Sequence, residues 1–450
     1  MRAVVTWVVA NMLAAVLLVP AVAVATDPAA RLIADIDPSG GSRPQLLTTV
    51  GARTFFSATD GFHGRELWTT DGTTAGTRMV RDIRPGSGGS APHSLTKVGK
   101  LLYFSADDGS HGRELWASDG TRKGTRLVRD LVPGAKGSGE LQITGVGERA
   151  YFSRSYEDLW RTDGTAASTR LVRTFKGIDL VGSAVMGSRL YFSADGALWK
   201  TDASGTSTRR ISPRSLYGGP LTPFRGRLYF SGMLYGRQDS GCGEGETGCI
   251  EPPRLWWSDG TWAGTKPVGH ILASEEFEIL GDAIYFNGWT DTIRPRLYAS
   301  DGTKAGTARV APRVRPLPGM QKQVGLLWMT RSSGSMPWRD ELWVSDGTAD
   351  GTALVNGGTA DWFTADDTLE CVGLDGRLWF AAGPGQSEPD GRLLDHELWV
   401  SDGTTAGTFE AVDINPTGSS FPRDFAKLAG SLILSASDGE HGRELWMVTP

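Results

Sequence analysis

The sequence predicts an all-β fold, a β-propeller of four-stranded antiparallel blades, and three observations carry that expectation. A strand–turn–strand segment recurs along the chain. It is clearest as ELWASDGTRKGTRLVRDL from Glu114 to Leu131, and returns from Glu66 to Ile83, from Glu341 to Val355 and from Glu397 to Ile414. An apolar strand precedes each copy, as in LLYFSA from Leu101 to Ala106. The two ends of the chain offer complementary halves of one unit. Repetition at a spacing of tens of residues marks a fold built from one supersecondary unit. Four-stranded units set in a ring leave only short edges open to other chains.

Taken in order, residues 1–25 read MRAVVTWVVANMLAAVLLVPAVAVA, with Arg2 ahead of an apolar run and small-residue cleavage sites at its end. This is the pattern of a secretory signal peptide, so residues 26–450 are expected as one exported domain, secreted or periplasmic. No Cys follows the apolar run, which argues against a lipoprotein anchor. No later segment has the apolar length of a membrane span. The segment RLIADIDP, Arg31 to Pro38, resembles the fourth strand of a repeat, RMVRDIRP at Arg78 to Pro85. The last repeat stops at ELWMVTP without a fourth strand of its own. The N-terminal strand is therefore expected to complete the last blade and close the ring.

Between these ends Leu-Trp recurs at Trp68, Trp116, Trp160, Trp199, Trp256, Trp343, Trp399 and Trp446, with Leu297-Tyr298 filling one beat, which makes nine units. Each unit reads as four strands, here called a to d. Leu-Trp lies on strand c, and Asp-Gly-Thr turns the chain into strand d. The Asp carboxylate can accept local N–H groups, and Gly tolerates the left-handed backbone such a turn needs. The fourth unit has lost a clean Asp-Gly-Thr at Thr201 to Arg210, so eight blades is the alternative count.

The composition narrows the function. With 46 Lys and Arg against 51 Asp and Glu, net charge is −5 and no basic run stands out, which argues against a nucleic-acid partner. Cys242 and Cys249 flank CGEGETGC and are expected to form a disulfide, worth about 2.5 kcal/mol in the chain-entropy model. Cys371 is left over and reads as a small buried hydrophobe.

The literal string ELWxxDGT, recurring over nearly the whole exported part, resembles the bacterial ELWxxDGT repeat family of exported proteins. The resemblance implies a repeat scaffold and no catalytic residue. The turn is similar in role to the Asp-box of sialidase-type propellers, although Asp and Trp come in a different order.

Candidate site residues fall into groups. The turn residues Asp71, Asp119, Asp163, Asp259, Asp301, Asp346 and Asp402 recur in nearly every unit, which favours structure. The repeat Trp residues recur likewise, which favours packing between blades. The b-to-c connections TDGFHGRE, DDGSHGRE and SDGEHGRE would gather Asp60, His63, Arg65, Asp108, His111, Arg113, Asp438, His441 and Arg443 in one sector of one face. Such a cluster could hold an anion, a glycan or a hard cation. No cofactor follows from any motif, and Ca²⁺ is the cation that Asp with loop carbonyls would suit. The alternative is that these blades lie closest to the repeat's consensus.

On the same face the b-to-c connections 232–254, 287–296, 331–340 and 383–396 grow long and carry Trp289 and Trp338 outside the repeat position. Exposed aromatics on loops suit a protein or glycan partner. No GxSxG, HExxH or Walker motif is present. The expected function is a monomeric, non-catalytic binding scaffold that recognises a protein or glycan through one loop face. The alternative is a carbohydrate-active enzyme, a hydrolase or lyase, using the central channel.

Overall fold

Apolar runs such as LLYFSA are continuous rather than alternating, and the fold explains why. Both faces of the central strands are covered. In the strand Leu101–Asp107, Leu102, Phe104 and Ala106 pack with Phe55, Leu67, Val80 and Ile83 of the preceding sheet. Tyr103 points the other way and packs with Leu141, Ala150 and Phe152 of the following sheet. The period of two is intact, but each face meets a different neighbour.

The computed structural model describes residues 28–213, 216–234, 252–290, 295–310, 320–332, 340–355, 370–383 and 396–450. Among them there is no α-helix. The strands form seven four-stranded antiparallel sheets and one of eight strands. The first sheet runs Gln45–Val50, Arg53–Thr59, Arg65–Thr70 and Arg78–Arg81, each strand paired with the next. The second repeats this order with His93–Val98, Leu101–Asp107, Arg113–Ser118 and Arg126–Leu127.

The eight-stranded sheet has a local cause. The strand Thr265–Leu280 runs without a break, pairing with Arg254–Ser258 through its first half and with Ala283–Trp289 through its second. It serves as strand d of the fifth unit and strand a of the sixth. The fourth unit forms a complete sheet despite its irregular turn.

The N-terminal strand Ala29–Ala34 pairs with the C-terminal strand Arg443–Thr449, Ala29 opposite Thr449 and Leu32 opposite Trp446. Strands a of successive sheets adjoin. Gln45–Val50 lies between His93–Val98 and Arg423–Leu428, the strand a of the last sheet. Ile33 joins Phe56, Ala58 and Trp68 of the first sheet with Leu428, Ile433 and Leu445 of the last in one apolar cluster. The core is thus a series of such clusters between sheets, and the repeat Trp residues lie in them. Trp116 is 3% exposed and has the Arg81 guanidinium 5.6 Å above its ring.

Polar contacts repeat across the same boundaries. Arg78 donates to the Gly120 carbonyl at 3.1 Å and Arg126 to the Gly164 carbonyl at 3.0 Å, each from strand d into the next sheet's turn. Arg31 of the N-terminal strand makes the same bond to the Gly72 carbonyl.

Two outcomes follow from this packing. Trp116→Ala should lower unfolding free energy by roughly 3–5 kcal/mol, as other large-to-small core changes do, in denaturant melts. A chain beginning at Gln45, which leaves the strand Arg443–Thr449 with an open edge, should melt at a lower temperature than the chain from residue 26 to 450.

Candidate functional site

The Glu of Glu-Leu-Trp is the first residue to place, because a carboxylate is costly to bury. Glu66, Glu114, Glu397 and Glu444 are fully buried. Each accepts from the connection that leads to the next strand a. Glu66 takes the N–H groups of Ile83 at 3.1 Å, Arg84 at 3.1 Å and Ser90 at 2.8 Å, and the Ser90 hydroxyl at 2.6 Å. Glu114 takes the Val132 N–H and the Ser138 hydroxyl. Glu397 takes the N–H groups of Ile414 and Ser420 and the Ser420 hydroxyl. Glu444, near the C-terminus, takes the N–H groups of Asp37 and Ser42 and the Ser42 hydroxyl. Burial pushes the Glu397 carboxyl up to about 7, while the Ser420 hydroxyl and the two N–H groups pull it down. The other three are raised for the same reason.

The sequence-predicted Asp–His–Arg sets lie just before Glu66, Glu114 and Glu444, and their members are occupied locally. Asp60 accepts the N–H groups of Phe62 and His63, and its second oxygen lies 2.7 Å from His63 Nδ1. Asp108 with His111, at 2.7 Å, and Asp438 with His441, at 2.6 Å, repeat the arrangement. Hydrogen bonding to its own Asp raises each His. Partial burial opposes ionisation of each Asp, but the N–H and imidazole bonds outweigh it and the net shift is downward. Arg65 donates to the carbonyls of Ser57 and Arg43, Arg113 to Ala91 and Ser105, and Arg443 to Phe421 and Ser435. Each set ties its own b-to-c connection to its own sheet. Among the described residues no three His, Cys, Asp or Glu side chains come together in a way that could hold a metal ion.

The Asp-Gly-Thr turns are also satisfied from within. Asp119 accepts the Thr121 N–H at 2.9 Å and hydroxyl at 2.7 Å. Ser118 accepts the Gly120 N–H and shares a 2.7 Å bond with Thr125, which donates to the Thr121 carbonyl. Gly120 has φ of 88°, which Gly alone takes easily. Gly124 lies against the carboxylate: a Cβ there would stand 2.0 Å from Asp119 Oδ1. The third and fourth sheets carry Ser168 and Ser207 at that place, and each donates its hydroxyl to the turn Asp, Asp163 or Asp202. Bonds from Ser204 and Ser207 hold Asp202 down at about 2.

A cavity of about 590 Å³ opens where the pattern fails. In the fourth sheet the b-to-c connection shrinks to a two-residue hairpin turn, Asp195-Gly196, with Ala194 paired to Ala197. Asp-Gly at such a turn allows φ > 0 at both positions, here 50° and 64°. The second sheet has Asp108 to Gly112 in the equivalent place. The space so vacated is lined by Tyr156 of the third sheet, by Lys176 between the third and fourth, by Ile178, Asp179, Ser193, Ala194, Asp195 and Ala197 of the fourth, and by Leu216 and Gly218 of the fifth. These residues were missed by sequence reasoning, which attended to insertions. The available signal was the shortest connection, FSADGALW against FSADDGSHGRELW.

Trp289 ends the strand Ala283–Trp289, half-buried opposite Leu272. Trp338, Cys242, Cys249 and most of the connections 232–254, 287–296, 331–340 and 383–396 lie outside the described residues. Cys371 is a free thiol, part-buried, 3.1 Å from Gln321 Oε1, and burial pushes it up to about 12.

No family model matches the chain, and no curated protein matches it. Solved structures resemble it in fold. A crystal structure of the eukaryotic initiation factor is similar over 90% of this chain and 99% of its own, at 10% identity and a TM-score of 0.53. Puromycin hydrolase is similar at 14% identity and a TM-score of 0.43 over 90% of this chain, which spans 60% of the hydrolase chain. BamB from Moraxella catarrhalis is similar at 10% identity and a TM-score of 0.39, over 94% of this chain and 96% of its own. At such identities the likeness concerns the fold alone.

The raised Glu397 sets a pH dependence. The folded state holds this proton to higher pH than the unfolded chain, whose Glu titrates near 4.5. Its contribution to stability is therefore fully present below that value and lost as pH rises through about 7. Between about pH 5 and about pH 8 the melting midpoint of Glu397→Gln should fall less than that of the unaltered chain.

Proposed function

We propose that this chain is an exported, non-catalytic binding scaffold of the ELWxxDGT repeat kind, which recognises a protein or glycan through one loop face. In this reading nine four-stranded blades form a ring closed by the N-terminal strand, and the leader at residues 1–25 directs it to the periplasm or beyond. The pairing of Ala29–Ala34 with Arg443–Thr449 and the bond from Arg31 to Gly72 support closure. The shared strand Thr265–Leu280 supports counting two units within the eight-stranded sheet.

One observation carries the functional reading: the two sets of connections differ in what they offer. The c-to-d turns are near copies whose polar groups are satisfied by one another. The b-to-c connections run from Asp195-Gly196 alone to everything between Leu234 and Arg254. Recognition needs groups that differ around the ring, and rigid sheets carrying variable loops supply them. Bridged, Cys242 and Cys249 would stiffen the longest of these loops and reduce the ordering cost of binding.

A glycan-array screen of the exported chain, followed by hydrogen exchange with the best ligand, tests this. Protection should fall on the b-to-c connections, and Trp289→Ala and Trp338→Ala should weaken binding. Protection confined to the Asp-Gly-Thr turns would refute the assignment.

A further inference from the structure

The cavity above the Asp195-Gly196 turn is built from groups whose chemistry can be matched to a ligand. Its floor is apolar and buried: Ile178, Ala194, Ala197 and Leu216. Its rim is polar and exposed, with Lys176, Asp179 and Asp195. Both carboxylates are fixed on one side only. Asp195 Oδ1 accepts the N–H groups of Lys176 at 2.6 Å and Gly177 at 3.3 Å. Asp179 Oδ1 accepts the Val181 N–H at 2.9 Å and Gln142 Nε2 at 3.3 Å. Among the described residues no hydrogen bond reaches Oδ2 of either Asp, or Lys176 Nζ.

Tyr156 completes the site and is an outlier in its own right. Ser155 and Tyr156 have φ of 52° and 56°, in a hairpin turn closed by the Glu157 N–H on the Arg154 carbonyl at 3.0 Å. Asn-Gly is the pair such a turn favours, and a bulky aromatic there is disfavoured. The turn therefore does not account for Tyr156, which is 53% exposed and lines the cavity. Strain held at a cavity mouth points from the outlier towards a function.

We infer that this cavity binds one ring of a neutral sugar, with Tyr156 as its stacking platform. The inference deepens the loop-face reading and rests on it. A carboxylate only accepts hydrogen bonds and an ammonium only donates them, whereas a hydroxyl does both. A polyol thus satisfies Asp179, Asp195 and Lys176 together. An anion would meet two carboxylates, and a cation would meet Lys176. The C–H face of a sugar ring suits the tyrosine ring and the apolar floor. The cavity is within the usual size range for small-molecule sites.

The test is calorimetric titration of the exported chain with neutral disaccharides (maltose, cellobiose, lactose and chitobiose), with glucosamine and digalacturonate as charged controls. At least one neutral disaccharide should bind. Tyr156→Gly should weaken that binding at least about tenfold, in line with loss of an aromatic contact. Its melting midpoint should not fall, because Gly is at home at positive φ. Asp195→Asn, which keeps a residue that tolerates the left-handed turn, should also weaken binding about tenfold while the fold is kept. Neutral-sugar binding unchanged in both variants would overturn the inference, as would binding of the charged controls alone or of none of the probes. So would a lower midpoint for Tyr156→Gly, which would make the ring a packing element. Binding that resists both variants but is weakened by Trp289→Ala would leave the loop-face reading standing and remove only this site.

Discussion

The structure depends on four buried carboxyl groups held by uncharged donors. Glu66, Glu114, Glu397 and Glu444 are withdrawn from water and compensated by N–H and hydroxyl donors. Such burial is tolerable only when nearly every lone pair finds a donor. The donors come from one stretch of chain each time, the Gly-Ser connection between strand d of one sheet and strand a of the next. The constraint is reciprocal. The Glu fixes the path of that connection, and the connection makes the buried Glu possible. In the fifth unit the pair is lost together: Arg254 stands in place of the Glu, and the chain passes straight from one unit to the next in Thr265–Leu280.

The same device joins the chain's ends. Glu444 belongs to the last strand, and its donors at Asp37 and Ser42 follow the first. The first and last sheets are thereby held by the contacts that hold the first sheet to the second: the Glu–Ser bond, an Arg on strand d reaching a turn carbonyl, and an apolar cluster around a repeat Trp. Where the repeat is regular its Glu side chains are consumed in this work, and the Asp60–His63 type pairs and the Arg65 type side chains are spent on their own sheet. Where it lapses, in the third to fifth sheets, groups are left to face solvent in a cavity. Regularity supplies the frame, and departure from it supplies the candidate site.

Much of this was legible in the sequence. The four-strand unit, the Leu-Trp on strand c, the packing role of Trp116 and the pairing of Arg31 with the last strand can be read from recurrence, because each sheet faces the same demand. The role of the Glu was not read. A Glu ahead of Leu-Trp is as compatible with solvent as with burial, and its Ser partner lies 24 residues away, as Ser90 does from Glu66. The Asp–His–Arg sets were visible as a cluster, but sequence does not reveal that Asp60 closes on His63 while Arg65 turns to carbonyls. The cavity was missed because a deletion leaves no residue to notice. Tyr156 and Asp195 acquire meaning only when three sheets are placed around them.

The central claim is that the buried Glu binds one sheet to the connection into the next, across the chain's ends as within it. A double-mutant cycle on Glu444→Ala and Ser42→Ala, read by denaturant unfolding of the chain from residue 26 to 450, tests it most directly. A charge-assisted bond in this setting predicts a coupling of roughly 1.5–3 kcal/mol. Effects that add to within about 0.5 kcal/mol, as independent sites do, would contradict the account.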